Sequence, residues 1–182
     1  MYTMKKMSLL SQQEIAKALT RLGELAQEQG HQIELLAVGG AVMVLAYNAR
    51  ASTHDVDVFI LLPKEAQIAR KLAQRVAQEI EWPEDWLNDG AKGFLVGISQ
   101  GPVIFSAPGI VVRRPEVAQL IAMKLSAWRD DVDIEDARRL LQELQGSQDE
   151  IWRSVEPFLV PGQQLKAQYA FLDLWETTYG TD

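Results

Sequence analysis

Hydrophobic residues in the first half of the chain alternate between helical and strand spacing. Ser11 and Glu14 match a capping box, and the apolar residues that follow, three and four apart, predict a helix to about Gln29. The short apolar run 33–38, followed by two glycines, predicts a buried strand. The same rules predict three further elements: a helix over 41–47, a strand over 55–62 and a helix over 64–80.

The second half is irregular at first and then helical. Residues 82–89 read as a loop or a short helical turn. Glycine and proline turns separate three predicted strands, at 94–98, 102–105 and 110–113. A helix is predicted from Pro115, as its first residue, to about Trp128. Three more helices are predicted: one over 133–144, one that begins after a Ser147 cap, and one over 163–179.

This order of elements predicts an α/β (α+β) fold, a small mixed sheet flanked by helices with a helical C-terminal segment. We expect residues 1–114 to form the α/β core and residues 115–182 to pack on it, giving one compact domain overall. The length of 182 residues fits one domain of this kind.

The amino-acid composition excludes several classes of functional site. The chain has 18 Lys plus Arg against 25 Asp plus Glu, a net charge of −7, which argues against an extended nucleic-acid groove. It has no cysteine and two histidines, so disulfides, cysteine nucleophiles, thiolate zinc sites and a histidine-rich metal cage are excluded. No apolar run reaches the ~20 residues of a membrane span, and the leading residues lack a secretory pattern. We expect a cytoplasmic protein.

Gly39 and Gly40 lie between a predicted strand and a predicted helix. Glycine allows another group to approach the backbone closely, and the start of a helix presents N–H groups that suit a phosphate. A strand–Gly-Gly–helix pattern is also common in turns that bind nothing.

Asp55 and Asp57 begin the next predicted strand. Side chains two apart on a strand point to the same face, so these carboxylates repel each other unless a cation lies between them. Mg²⁺ prefers carboxylate, water and phosphate oxygens. A solvent-facing acidic pair is the alternative, but the apolar run that follows places the pair at the rim of a buried sheet.

Polar residues directly before the acidic pair complete the pattern. Arg50, Ser52 and Thr53 could donate to one polyphosphate held near the glycine turn, and His54 could act as a base. A polar surface loop is the alternative interpretation.

Together these residues resemble the DNA polymerase β-like nucleotidyltransferase superfamily, whose pattern is strand, Gly-Gly, helix and then Asp-x-Asp. The spacing of Arg50, Thr53, Asp55 and Asp57 resembles the motif of one bacterial branch of the superfamily, which contains the type IV abortive-infection toxin transferases. A second stretch, residues 119–141, resembles the same branch. Its matching positions are Lys124, Arg129, Asp133 and Asp136.

The resemblance implies transfer of a nucleotidyl group from a nucleoside triphosphate to an RNA, protein or small-molecule acceptor. It implies Mg²⁺ (or Mn²⁺) on Asp55 and Asp57, and a nucleotide held by glycine, arginine, hydroxyl and lysine groups. The expected nucleotide-binding residues are Gly39, Gly40, Arg50, Ser52, Thr53 and Lys124. It also implies a toxin–antitoxin setting and a protein partner.

The chain departs from the superfamily pattern in one respect. Active members usually carry a third carboxylate on a later strand, whereas residues 94–113 contain neither Asp nor Glu. Asp89 is the nearby candidate for that catalytic position.

The alternatives to an enzymatic function are a non-catalytic nucleotide- or partner-binding module and a plain structural domain. Lys124 has an alternative interpretation in which its ammonium reaches solvent and does not bind a phosphate. Asp133 and Asp136 have one in which their charges only stabilise a helix N-terminus.

Overall fold

The structure is a computed structural model that describes residues 9–180. Residues 1–8, which hold most of the leading stretch considered for a secretory signal, lie outside the described residues, as do residues 181–182. The chain divides into two compact units. The first contains the described residues up to Ala91 and Pro102–Arg114, and the second contains Lys92–Gly101 and the described residues from Pro115 onward.

The first unit carries the sheet. Its elements in chain order are β1 (Leu10–Ser11), α1 (Gln12–Glu28), β2 (Ile33–Val38), α2 (Gly39–Leu45), β3 (Ser52–Thr53), β4 (Val56–Leu62), α3 (Ala66–Ile80), β5 (Leu87–Asn88), β6 (Val103–Ala107) and β7 (Ile110–Arg113). The sheet has the order β5–β4–β2–β7–β6 within the described residues, and β1 pairs separately with β3.

Strand β2 lies at the centre of this sheet. It pairs antiparallel with β4 and parallel with β7, and all of its residues except Glu34 are buried. A strand buried on both faces needs the continuous apolar run that the sequence shows there. The prediction of β2 over residues 33–38 is confirmed, as is that of β7 over 110–113.

Helix α1 begins as its capping pattern predicts. The Glu14 amide donates to the Ser11 hydroxyl, and the Ser11 amide donates to the Glu14 carboxylate at 2.8 Å. Helix α3 also agrees with its prediction apart from its first two residues. Helix α2 begins at Gly39 and ends at Leu45, two residues earlier at both ends than predicted.

Three short strands, β1, β3 and β5, were not predicted, because two residues carry no measurable periodicity. The predicted strand over residues 94–98 is wrong: residues 92–94 form a 3₁₀ turn and no strand follows before β6. The buried Gln119 side chain holds this segment. Its oxygen accepts from the Ser99 amide at 2.8 Å, and its nitrogen donates to the carbonyls of Val96 and Gly97.

The second unit is helical. Its helices are α4 (Val117–Ala127), α5 (Asp131–Leu141), α6 (Gln148–Val155) and α7 (Gln164–Tyr179), and residues 156–158 form a 3₁₀ turn. Pro115 does not begin α4 as predicted, since Glu116 is the N-cap. Helix α5 begins at Asp131 because the Asp130 carboxylate caps it, accepting from the Asp133 amide at 3.0 Å.

The structure therefore confirms the mixed α/β (α+β) fold class, with a mixed sheet and helices in the first unit. Within residues 9–180, no helix is both long enough and apolar enough to span a membrane.

Candidate functional site

The glycine turn between β2 and α2 packs directly against the acidic strand. Strand register places Asp57 opposite Val38, the residue before the turn. A Cβ atom added to Gly39 would lie 3.0 Å from the Asp57 Oδ2 atom, and the Gly39 φ of +64° is one that side-chain-bearing residues rarely adopt. The conformation and the closeness of Asp57 both require glycine at this position.

Gly40 meets a different part of the site. A Cβ atom there would lie 2.5 Å from the Thr53 Oγ1 atom and 2.9 Å from the Arg50 Nη1 atom. The hydroxyl of the buried Thr53 also donates to the Asp55 carbonyl at 3.3 Å. Two polar side chains predicted to bind nucleotide thus lie against the glycine turn.

Asp55 and Asp57 lie where β4 begins. Val56 and Val58 are buried in the strand, and Asp57 between them is half-buried and lies beside Gly39. Asp55 is also half-buried and directly precedes the first residue of β4, and the shared face of the two carboxylates stays a prediction.

Asn88 on β5 fixes the orientation of Asp55. Strands β4 and β5 are parallel, with Asp57 opposite Asn88. The Asn88 amide nitrogen donates to the Asp55 Oδ2 atom at 2.9 Å, and the Asn88 oxygen accepts from the Gly90 amide at 2.8 Å. With both ends of its amide bonded, Asn88 presents a donor to Asp55 in one orientation.

A buried tryptophan anchors the segment that carries Asn88. The Trp86 indole donates to the Ala73 carbonyl of α3 at 3.0 Å, and the Val56 amide donates to the Trp86 carbonyl at 2.7 Å. Sequence reasoning gave Asn88 no role. The available signal was an Asn-Asp pair directly after the apolar residues Trp86 and Leu87.

Asp89 follows Asn88 on the loop after β5. Its carboxylate forms an ion pair with Arg70 of α3 at 3.2 Å, and both side chains are partly exposed. No group of three or more His, Cys, Asp or Glu side chains within residues 9–180 is arranged to hold a metal ion. The catalytic role of Asp89 stays a prediction.

Ser52 lies beside Thr53 on β3, opposite Ser11 of β1. Because successive strand residues point to opposite sides, the Ser52 side chain is turned away from the side on which Thr53 meets Gly40. Its contact with a nucleotide stays a prediction.

Lys124 belongs to the second unit, where it binds two buried aspartates. Its Nζ atom lies 3.1 Å from Asp133 and 2.6 Å from Asp136, and the lysine is itself largely buried. The two aspartates therefore do more than place charge at a helix N-terminus, which was the simpler expectation. A phosphate contact by Lys124 stays a prediction.

Asp133 pairs with two cations, Lys124 and Arg129. Burial raises the pKa of its carboxyl, but hydrogen bonds from Arg129 and the charge of Lys124 outweigh burial and lower the pKa to about 2. Its oxygens accept from the Arg129 backbone amide at 2.9 Å and from the guanidinium at 3.1 Å. The carboxylate is therefore ionised at neutral pH although it is buried.

Part of the chain is similar to a known family. Residues 15–99 match the model of a family described as a nucleotidyl transferase of unknown function (DUF2204). The matched segment contains the glycine turn, Arg50, Thr53, Asp55, Asp57 and Asn88. No curated protein and no solved structure is significantly similar to the chain. The family match supports a nucleotidyltransferase family for this chain.

Proposed function

We propose that the protein is a metal-dependent nucleotidyltransferase. An acceptor hydroxyl would attack the α-phosphorus of a nucleoside triphosphate, the new O–P bond would form as the bond to the bridging oxygen breaks, and pyrophosphate would leave. The observation that carries the proposal is the packing of Asp57 against Gly39, with Thr53 and Arg50 against Gly40. These residues lie inside the segment that matches the family described as a nucleotidyl transferase of unknown function.

The acidic pair fits a hard divalent cation. Asp57 on β4 and Asp55 directly before it offer carboxylate oxygens, and Asn88 hydrogen-bonds Asp55. When bound there, Mg²⁺ (or Mn²⁺) would neutralise phosphate charge and lower the pKa of an attacking hydroxyl.

The polar groups around the glycine turn fit the phosphates. Arg50 supplies a guanidinium, which pairs well with phosphate oxygens, and Thr53 supplies a hydroxyl on the same side of the turn. Ser52 and Lys124 are the further donors that the resemblance suggests.

The acceptor we propose is an RNA end, a protein hydroxyl or a small molecule. A net charge of −7 favours a local contact with the acceptor over a long basic groove. A toxin–antitoxin-type system in bacteria, with a protein partner in the cytoplasm, is the setting that the resemblance suggests.

A labelled-transfer assay tests this function. The protein is incubated with Mg²⁺ and each nucleoside triphosphate labelled at the α-phosphate, with total RNA or protein as acceptor. We expect label in the acceptor, and we expect Asp57→Asn to abolish it. Asp149→Asn, a change to an exposed acidic residue of α6, should leave transfer intact.

One observation favours a second candidate, a non-catalytic nucleotide- or partner-binding module. The neighbour that hydrogen-bonds Asp55 is an amide, Asn88, and the nearby carboxylate of Asp89 pairs with Arg70. Titration calorimetry with nucleoside triphosphate and Mg²⁺ separates the two candidates: binding without any transferred label would favour the module.

A further inference from the structure

Helix α7 carries two apolar faces, and the second unit covers only one of them. The buried face consists of Ala167, Ala170, Phe171 and Leu174. The other face exposes large apolar side chains, with exposed fractions of 65% for Leu165, 66% for Tyr169, 44% for Leu172 and 50% for Tyr179. Soluble proteins rarely leave such a row uncovered along a helix. We call these four residues and the half-buried Trp175 the α7 stripe.

The α7 stripe is symmetric along the chain. Its five residues are separated by four, three, three and four positions, so Leu172 is the centre and each end mirrors the other. The spacing of seven from Leu165 to Leu172 and from Leu172 to Tyr179 is that of a helix–helix seam. Trp175 and Tyr179 already stack on each other, with ring centroids 4.6 Å apart.

A surface that binds its own copy about a twofold axis must be self-complementary. If two α7 helices lie antiparallel with Leu172 at the axis, Leu165 comes level with Tyr179 of the other copy. Tyr169 comes level with Trp175 in the same way. At each of these positions along the two helices, an apolar side chain of one copy then lies opposite an apolar side chain of the other.

Charge favours the antiparallel arrangement over the parallel one. Glu176 lies on the exposed side of α7, four residues from the centre of the stripe. A parallel pair would place Glu176 against itself, whereas the antiparallel pair places it level with Gln168, whose amide can donate to a carboxylate. The Lys166 ammonium is directed away from the stripe, since it donates to the carbonyls of Ser126 and Ala127.

We propose that the α7 stripe joins two copies of this chain, with α7 packed antiparallel on α7 about a twofold axis at Leu172. A 16-residue helix is about 24 Å long, and a contact of this length lies at the low end of interface sizes. The dimer is therefore reversible, and its population rises with protein concentration. This inference is independent of the proposed function.

Sedimentation velocity on the full chain tests the dimer. We expect the sedimentation coefficient to rise from the monomer value towards the dimer value as the concentration increases to about 500 µM. Leu172→Glu places two carboxylates at the axis and should leave a monomer at every concentration. Val132→Glu, which puts the same charge on an exposed apolar residue of α5, should leave the dimer intact. A wild-type coefficient that does not change with concentration would overturn the proposal.

Cross-linking tests the orientation, and the absence of cysteine makes every introduced thiol unique. A mixture of the Leu165→Cys and Tyr179→Cys proteins should form a disulfide-linked heterodimer on mild oxidation. Each variant alone should remain largely unlinked. Linkage of each variant to itself, with none in the mixture, would mean a parallel pair and would contradict the proposal. Circular dichroism of each variant checks that α7 is retained.

Discussion

Asn88 binds Asp55 across 33 residues of sequence, with its amide nitrogen 2.9 Å from the Asp55 Oδ2 atom. Such a partner does not touch the reacting groups in our proposal, so its role is to position a carboxylate. Loss of residues of this kind commonly lowers metal affinity about 10–100-fold.

We therefore predict that Asn88→Ala weakens Mn²⁺ binding at least about 10-fold, because Asp55 then adopts several orientations. Electron paramagnetic resonance titration with Mn²⁺ measures this without any turnover. Gln74→Ala, at an exposed position of α3, is the matched control and should not change the affinity. Equal Mn²⁺ affinity in the wild type and in Asn88→Ala would argue against the positioning role.

Gly40 lies where a side chain would displace two groups of the candidate site. A methyl group there would fall 2.5 Å from the Thr53 hydroxyl and 2.9 Å from the Arg50 guanidinium, so both groups must move. We expect Gly40→Ala to reduce nucleoside triphosphate affinity about 10-fold, equivalent to about 1.4 kcal/mol. Titration calorimetry measures it, and Gly93→Ala, where a methyl group meets nothing within 4 Å, is the control.

Among the elements, α4 and α5 are joined by a buried ionic cluster. Lys124 on α4 faces Asp133 and Asp136 on α5, and its removal takes a buried cation away from both carboxylates, although Arg129 still pairs with Asp133. We predict that Lys124→Met destabilises the fold by about 3–5 kcal/mol in urea unfolding. Unchanged stability together with weaker nucleotide binding would instead assign Lys124 to the phosphates.

The same cluster predicts acid sensitivity. The pKa of Asp133 is about 2 in the folded state, below its ordinary value of 3.8, so the ionised form stabilises the fold above about pH 4. That contribution, about 2 kcal/mol, is lost as the pH falls from about 4 to 2. Urea unfolding at a series of pH values should show this loss in the wild type. Asp133→Asn should be less stable at neutral pH and should show a smaller loss over that range.

Elements defined by local patterns could be predicted, and elements defined by distant contacts could not. The capping box of α1 and the apolar run of β2 each lie within a few residues, and both predictions are confirmed. The segment 94–98 has apolar residues like a strand, yet Gln119, about twenty residues away, holds it as a loop with Gly97 at φ +67°. Strand β5 depends on Trp86 bonding to α3, which no local pattern encodes.

The same distinction applies to the candidate site: its local features were predictable from the sequence, and its distant contacts were not. The spacing of Asp55 and Asp57 predicts that they share a face, and the position of Gly39 and Gly40 between strand and helix predicts the turn. The contact of Asn88 with Asp55 and that of Arg70 with Asp89 bring together residues 33 and 19 positions apart. The periodicity of helices and strands predicts only contacts between residues close in sequence, so neither contact was predictable.

At the scale of the whole molecule, the net charge of −7 bears on the acceptor. If transfer targets a local end or hydroxyl, few cations are released on binding, and the salt dependence of acceptor binding is shallow. We predict that affinity for an RNA acceptor falls less than about tenfold between 50 and 200 mM salt, where a protein with six to ten phosphate contacts loses about 10³–10⁵. Fluorescence anisotropy with a labelled RNA measures it, and a steep slope would indicate an extended groove.

In the proposed function, the start of β4 and the glycine turn together hold a cation and a triphosphate. A crystal structure with Mn²⁺ and a nucleotide analogue that cannot be cleaved at the α–β bridge tests it most directly. We predict an anomalous Mn²⁺ peak coordinated by carboxylate oxygens of both Asp55 and Asp57, with the triphosphate beside Gly39 and Gly40. Nucleotide bound elsewhere, or Mn²⁺ absent from these two aspartates at saturating concentration, would contradict the account.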